Sequence, residues 1–195
     1  IKGDYLNLAK GQLKSKDGID LYSRKDFDGM HTAGRVAAEI LDEIVTSVFP
    51  GQTTGKIDSI IEELIRDKNV ESGTIGYRGY QHASCISVNH VVCHGIPSDK
   101  ILKEGDILNI DVTVIKDGWY GDTSRMYVAG QPSRKAERLI QVTHDALFKG
   151  IDAVKPGKTF GDIGHAIQTH VEANRMSVVR DFCGHGLGRV FHAPP

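Results

Sequence analysis

The chain is 195 residues long, with 39% hydrophobic and 25% charged residues. That balance suits one large packed domain or two small ones, and it excludes a disordered polyelectrolyte. With 24 Lys and Arg against 25 Asp and Glu the net charge is −1, which excludes nucleic acid as a partner, and no apolar run exceeds four residues against the ~20 of a bilayer span.

Residues 1 to 22 show no sustained period and no apolar h-region of a signal peptide, and they read as an N-terminal extension to a domain over 23–195. Ser23 followed by Asp26 is a capping-box start. Behind it Phe27, Met30, Ala33, Ala37, Ile40, Leu41, Ile44, Val45 and Val48 recur at helical spacing until Pro50-Gly51 ends the run. A second helix is predicted from about Thr54, with Ile57, Ile60, Ile61, Leu64 and Ile65 on one face. From Gly73 to Gly130, β-branched residues, glycines and short alternations predict antiparallel sheet. Helical period returns over 134–154 through Leu139, Ile140, Thr143, Ala146, Leu147, Ile151 and Val154. Thr159 with Asp162 caps a further helix to about Asn174, and strand and loop are expected from Ser177 onward.

The chain also repeats itself. Pro50-Gly51-Gln52-Thr53-Thr54-Gly55-Lys56-Ile57 returns 106 residues later as Pro156-Gly157-Lys158-Thr159-Phe160-Gly161-Asp162-Ile163. Each copy follows a long helix and precedes a shorter one, and beyond each lies a glycine- and histidine-containing segment expected to be β: His94-Gly95-Ile96-Pro97 in the first, Gly184-His185-Gly186 and His192-Ala193-Pro194-Pro195 in the second. Two halves of one architecture are implied, at a period too long for a solenoid. A long hairpin follows the first copy, and none has yet followed the second by Pro195.

That hairpin carries the chemistry. Lys116-Asp117-Gly118-Trp119 centres Asp-Gly in a two-residue turn, which pairs residues whose numbers sum to 235. Asp122 then lies opposite Thr113, on the face that also carries Asp111, while Leu108, Ile110, Val112 and Val114 point the other way into a core. Diagonal neighbours of this kind sit ~7–8 Å apart at the backbone, within the span of one or two bridging metal ions. Two such carboxylates either face water in company with Arg125, or repel one another until a cation neutralises them. In Gly184-His185-Gly186-Leu187-Gly188 three glycines leave an imidazole unobstructed, with His192 nearby, and tip the balance towards metal. Two Asp and one His suit Mn, Fe, Co or Zn better than Ca or Mg.

His94 either contacts substrate or is a plain turn histidine. Cys85 and Cys93 have no base beside them and read as packed or pocket-lining thiols. His165 and His170 read as solvated helix histidines. Three cysteines at spacings that fit neither a disulfide framework nor a CxxC site point to a reducing, cytoplasmic compartment.

Six ordered motifs now resemble one family. They are Gly76-Tyr77-Arg78-Gly79-Tyr80, Cys93-His94-Gly95-Ile96-Pro97, the run from Gly105-Asp106 to Asn109-Ile110-Asp111-Val112, Gly121-Asp122-Thr123-Ser124, Gly184-His185-Gly186-Leu187-Gly188 and Phe191-His192-Ala193-Pro194-Pro195. Together, from Ser23 to the last residue, they are similar to the bacterial type I methionine aminopeptidases. The resemblance implies an α/β pita-bread fold with pseudo-twofold halves, and hydrolytic removal of the N-terminal methionine of nascent proteins. It implies two divalent metal ions held by Asp111, Asp122 and His185, with Asp111 bidentate and Asp122 bridging. His94 and His192 match histidines that contact substrate and stabilise the transition state. Tyr77, Tyr80, Cys85 and Cys93 match the methionine pocket or its rim. The implied partners are peptides that begin with methionine and the ribosome from which they emerge. Two glutamate ligands of the family fall on a hairpin beyond the stretch that ends at Pro195, so the second half is expected to be incomplete and the 195 residues alone to be inactive. Alternatives of the same fold are a proline-specific aminopeptidase or prolidase, and a non-catalytic polypeptide-binding module.

Overall fold

A computed structural model describes residues 13–16 and 18–193. Residues 1–12 and Asp17 of the expected extension, and Pro194-Pro195 of the last motif, lie outside the described residues. The part of the extension that is described holds a short antiparallel pair, β1 (Leu13–Lys14) and β2 (Asp20–Leu21).

Local capping starts the first helix where expected. The Ser23 side chain accepts from the Asp26 N–H and the Asp26 carboxylate accepts from the Ser23 N–H, so two orphan donors of α1 (Arg24–Glu43) are satisfied reciprocally. The helix is shorter than its apolar run: Ile44–Ser47 tighten into a 3-10 turn before Pro50. Ala33, Ala37, Ile40, Leu41 and Ile44 are buried, whereas Phe27 before them and Val45 after them are exposed, so the buried part of the predicted stripe runs from Ala33 to Ile44. Thr53 caps α2 (Thr54–Asp67) through the Lys56 N–H, and Ile57, Ile61 and Ile65 are buried at every fourth residue.

The sheet is built around β5 (Asp106–Lys116) and β6 (Trp119–Ala129), paired along their whole length in the predicted register, from Asp106 opposite Ala129 to Lys116 opposite Trp119. Asp117 and Gly118 both take positive φ, 52° and 76°, as the two-residue turn that matches strand twist requires. Along the other edge of β5 run β4 (Ser84–Val88) and the two-residue β3 (Glu71–Ser72), both antiparallel to it. One sheet face is apolar. There Leu108, Ile110, Val112 and Val114 are fully buried, with Tyr127 and Ala129, against α1 and α2. Gly121 marks the tightest crossing, because a Cβ at that position would run into the backbone of Ala33 on α1. Arg125 lies on this helix-facing side and pairs with Asp42 of α1, which removes it as a companion for Asp111 and Asp122 on the opposite face.

The chain divides into two compact units. One runs to Gly130 and takes up the chain again at His185, and the other spans Gln131–Gly184. The second unit is an antiparallel-type helix pair in sequence, α3 (Arg134–Ala153) and α4 (Phe160–Ala173), with the predicted Thr159–Asp162 capping box at the start of α4. Its packing differs from the expected stripe. Val142, Ala146 and Gly150 are the buried residues of α3, Gly150 lying against Ile163 and Ile167, while Leu139, Leu147, Ile151 and Val154 are exposed. His165 is exposed as expected, and His170 is half-buried, with its Nε2 buried without a hydrogen-bond partner. Beyond Ser177 no strand forms among the described residues, only an isolated bridge between Gly186 and Ala193, because glycine-rich backbone there bonds in single pairs. His94-Gly95-Ile96-Pro97 is likewise loop rather than β. Among the described residues no helix is long and apolar enough to cross a membrane.

The Gly121 crossing sets a stability prediction. Gly121→Ala forces α1 and β6 apart in a filled core, at a cost of ~1–3 kcal/mol, and should lower the midpoint of thermal unfolding by roughly 2–12 °C in a circular-dichroism melt. An unchanged midpoint would show that helix and sheet separate freely at that point.

Candidate active site

The polar face of the sheet forms the floor of a cavity of about 320 Å³ within the first unit. Asp111, Thr113 and Asp122 reach it from β5 and β6, and Cys85 reaches it from β4, where it pairs with Asp111. Three loops form the remaining walls. The first, 74–80, brings Thr74, Tyr77, Arg78 and Tyr80; the second brings His94; the third brings His185, Phe191 and His192. Eight of the nine residues singled out as site candidates therefore line one space. Cys93 does not line it, although it lies close enough to Cys85 to influence its thiol.

Each loop is fastened to the sheet by identifiable bonds. Gly95 donates its N–H to Ser87 Oγ at 3.0 Å and accepts from the Ile86 N–H at 2.8 Å, which lays the His94 loop along β4. The third loop is closed by the reciprocal pair between Gly186 and Ala193, at 2.7 and 2.9 Å, and docked on β6 by the Tyr120 N–H to the Gly188 carbonyl. Arg189 stacks its guanidinium over Trp119 at 3.9 Å and donates to the Asp117 carbonyl, so the hairpin tip also holds this loop. Closing the loop sets the His185 and His192 rings 4.4 Å apart.

At the centre, Asp122 Oδ1 accepts from Thr113 Oγ1 at 2.8 Å, and Asp122 Oδ2 faces His185 Nε2 at 3.5 Å. His185 Nδ1 lies 3.0 Å from the Gly186 carbonyl, which can only accept. The ring proton of the neutral imidazole is therefore on Nδ1, and the Nε2 lone pair points at a carboxylate. Two facing lone pairs are stable only with a cation or a proton between them. Asp111 adds to the same field: burial first, and then the neighbouring Asp122 charge, push its carboxyl up from 3.8 to about 6, against the opposing pull of His185. This donor set fits a divalent ion by its charge, by the carbonyl-fixed tautomer and by the like-charge conflict a cation would relieve. As the side chains stand, no three His, Cys, Asp or Glu among the described residues are close enough together to grip an ion. The shared face of Asp111 and Asp122 is thus as the register requires, while a ready three-ligand cluster is not formed.

The walls complete the site. Tyr77 Oη and His192 Nδ1 share a hydrogen bond of 2.8 Å, and Phe191 packs edge-on against Tyr77 and stacks on Tyr120. Partial burial and the adjacent His185 hold His192 below the ordinary histidine range, which favours a neutral ring at neutral pH. Burial pushes the Cys85 thiol up and keeps it protonated, and it donates to Tyr80 Oη at 3.6 Å. An inert pocket thiol, rather than a nucleophile, is what that environment makes. The cavity also takes in Thr113, Arg78 and Phe191, to which the sequence assigns no site role, and Thr74, which no motif marks. Thr113 was recoverable as the cross-strand partner of Asp122, but Thr74 and Arg78 sit in an irregular loop with no periodic signal.

Comparison with known proteins places this geometry. Residues 28–195 match the family model of metallopeptidase family M24. A methionine aminopeptidase of Rickettsia prowazekii is 54% identical over 177 residues, 91% of this chain and 68% of its own length. The crystal structure of methionine aminopeptidase from the same organism superposes with a TM-score of 0.88 over 90% of this chain and 71% of that one. A prolidase from Pyrococcus horikoshii, 20% identical, superposes at 0.76 over 90% of this chain and 49% of its own, a likeness of fold alone. The chain accordingly has the α/β pita-bread fold.

The raised Asp111 carboxyl generates a prediction with a definite sign. Between the usual carboxylate value and about 6 the folded state binds more protons than the unfolded chain, so stability of the metal-free protein is lost as pH rises through that window. The full effect corresponds to ~3 kcal/mol at most. Asp111→Asn should therefore raise the unfolding midpoint of metal-stripped protein at pH 7.5 and change it much less at pH 5. A lower midpoint at pH 7.5 would show that the carboxylate is not under strain.

Proposed function

This chain belongs to the methionine aminopeptidases of metallopeptidase family M24, and from that premise we propose that its cavity hydrolyses the first peptide bond of polypeptides that begin with methionine. The observation that carries the reading is the convergence on one cavity of Asp111, Asp122 and His185 with two further histidines and a wall of Tyr80 and Cys85. A divalent ion is the cofactor of this family. Asp111, Asp122 and the Nε2 of His185 are the groups that would hold it, as two ions of the Mn, Fe, Co or Zn class. Bound there, it supplies Lewis acidity towards the scissile carbonyl and an acidified water.

The chain's own residues supply the rest. Thr113 orients Asp122 by its 2.8 Å hydrogen bond, leaving Oδ2 turned towards His185. His192 is neutral, and when Tyr77 Oη donates to its Nδ1 the proton sits on Nε2, a donor for the carbonyl oxygen as charge develops. His94, carried on the loop bonded to β4, is assigned to the leaving nitrogen. Tyr77, Tyr80 and Cys85 form an apolar-sided, thiol-bearing wall suited to a thioether side chain. The catalytic domain is taken as residues 23–195, supported by a family match from residue 28, with residues before 23 as an extension. Free thiols at Cys85, Cys93 and Cys183 support a cytoplasmic site of action, where nascent chains leave the ribosome.

Assay of the complete, metal-loaded protein, rather than residues 1–195 alone, with Met-Ala-Ser and with an Xaa-Pro peptide tests the reading directly. Release of methionine from the first alone is expected. Cleavage of only the Xaa-Pro bond would indicate a prolidase, and cleavage of neither a binding module. Two substitutions separate the roles. Asp122→Asn should abolish most turnover together with metal affinity, since a neutral amide would not supply the negative charge that a divalent ion needs there. His192→Ala should lower kcat by about a hundredfold while the metal content measured by atomic absorption stays unchanged. Loss of metal from the His192 variant would make that residue a ligand instead.

A further inference from the structure

Asp58 takes no part in the chemistry above, yet it is among the most thoroughly engaged carboxylates in the molecule. It lies on α2 behind the sheet, its side chain only 9% exposed, where an unpartnered carboxylate would be costly. It is fully partnered. Oδ1 accepts from the Ser84 N–H at 2.9 Å and from Ser84 Oγ at 2.7 Å, and Oδ2 accepts from His82 Nδ1 at 3.1 Å.

These contacts lead to one side chain of the cavity. Tyr80 donates its hydroxyl to the Ser84 carbonyl at 2.8 Å, receives the Cys85 thiol at 3.6 Å and packs edge-on against the His82 ring at 5.6 Å. Ser84 and His82 are the two residues Asp58 holds, and Cys85 follows Ser84 on the strand. These three anchors of the Tyr80 side chain therefore go back to Asp58 within one residue. The His82 carbonyl also accepts from Thr74 Oγ1 at 2.8 Å, which ties a second cavity residue to the same point. The alternation of β4 explains the layout: Ser84, opposite Val112, faces the helices, and Cys85, opposite Asp111, faces the cavity.

The geometry points to Asp58 as a positioning residue that fixes the Tyr80–Cys85 wall and so sets how closely the pocket fits the first side chain of the substrate. It acts through Ser84 and His82, without touching substrate or metal. This inference rests on the aminopeptidase reading and adds to it the origin of side-chain selectivity. A rigid wall rejects a larger side chain because it cannot yield, whereas a loosened one admits it and holds methionine less well.

The test compares Asp58→Asn and Ser84→Ala with the unsubstituted sequence, all in the complete, metal-loaded protein, on Met-Ala-Ser and on the same peptide beginning with phenylalanine. Loss of charge-assisted bonds at Asp58 should raise KM for the methionyl peptide about tenfold with kcat largely kept. The ratio of kcat/KM for methionine over phenylalanine should fall by a similar factor. Ser84→Ala, which removes one bond and leaves the carboxylate and the ring contact in place, should move both quantities in the same direction by a smaller factor, and it decides the matter if Asp58→Asn does not fold. A lowered unfolding midpoint with an unchanged selectivity ratio would make Asp58 a purely structural residue and overturn the proposal. Failure of the unsubstituted enzyme to release methionine would remove the aminopeptidase premise, and the proposal with it.

Discussion

The register of the β5–β6 hairpin is the constraint on which the site depends. Side chains alternate faces with a period of two, so a slip of one residue would carry Asp111 and Asp122 into the helix-facing core and turn Ile110 and Val112 towards the cavity. Two opposite penalties hold the register in place. One is loss of the apolar packing around Ile110, Val112 and Val114; the other is burial of two carboxylates among Ile57, Ile61 and Leu41. The Asp117-Gly118 turn selects the correct pairing locally, and the core makes every other pairing costly.

Given that register, the cavity face collects negative charge, and its neighbours are arranged around the conflict. Arg125, the obvious counter-ion, is on the helix-facing side and is committed to Asp42. What faces the carboxylates is a histidine whose proton is fixed on the far nitrogen by a backbone carbonyl. A side chain that could neutralise the pair outright would stabilise the protein and disable it. The loop that carries His185 is held instead by bonds made away from the centre, at Gly188, Arg189 and the Gly186–Ala193 bridge. Position is thus secured at the rim and charge is left uncompensated in the middle, the division expected of a site whose energy is reserved for a cation and a substrate.

The elements legible in the sequence are those written locally. Ser23 with Asp26, Thr159 with Asp162 and Asp117-Gly118 each specify their structure within a few residues, and each is found as read. The shared cavity of Asp111, Asp122 and His185 was legible because a turn fixes register and because glycines around one histidine are unusual. Tertiary context was less so. The apolar stripe of α3 predicts burial of Leu139, Leu147 and Ile151, but close approach of α4 is possible only at small residues, and Ala146 and Gly150 take the contact. The Asp58 network joins residues 24 and 26 positions apart with no periodic pattern, and nothing short of three dimensions brings His82 and Ser84 to the same carboxylate.

The internal repeat separates what is scaffold from what is chemistry. Both copies give a 20-residue helix followed by a 14-residue helix, α1 and α2 in the first and α3 and α4 in the second, with a threonine N-cap at Thr53 and Thr159. The caps differ in one respect: the second helix pair has Asp162 at the third position and closes a capping box, where the first has Lys56 and does not. The repeated part therefore encodes helix lengths and starts, and it tolerates a change of cap. Among the described residues the cavity carboxylates Asp111 and Asp122 both come from the hairpin after the first copy, and no cavity residue falls within Gln131–Gly184. The repeated motif thus sets where helices start and how long they run, while the residues that line the cavity come from the segments outside the second helix pair.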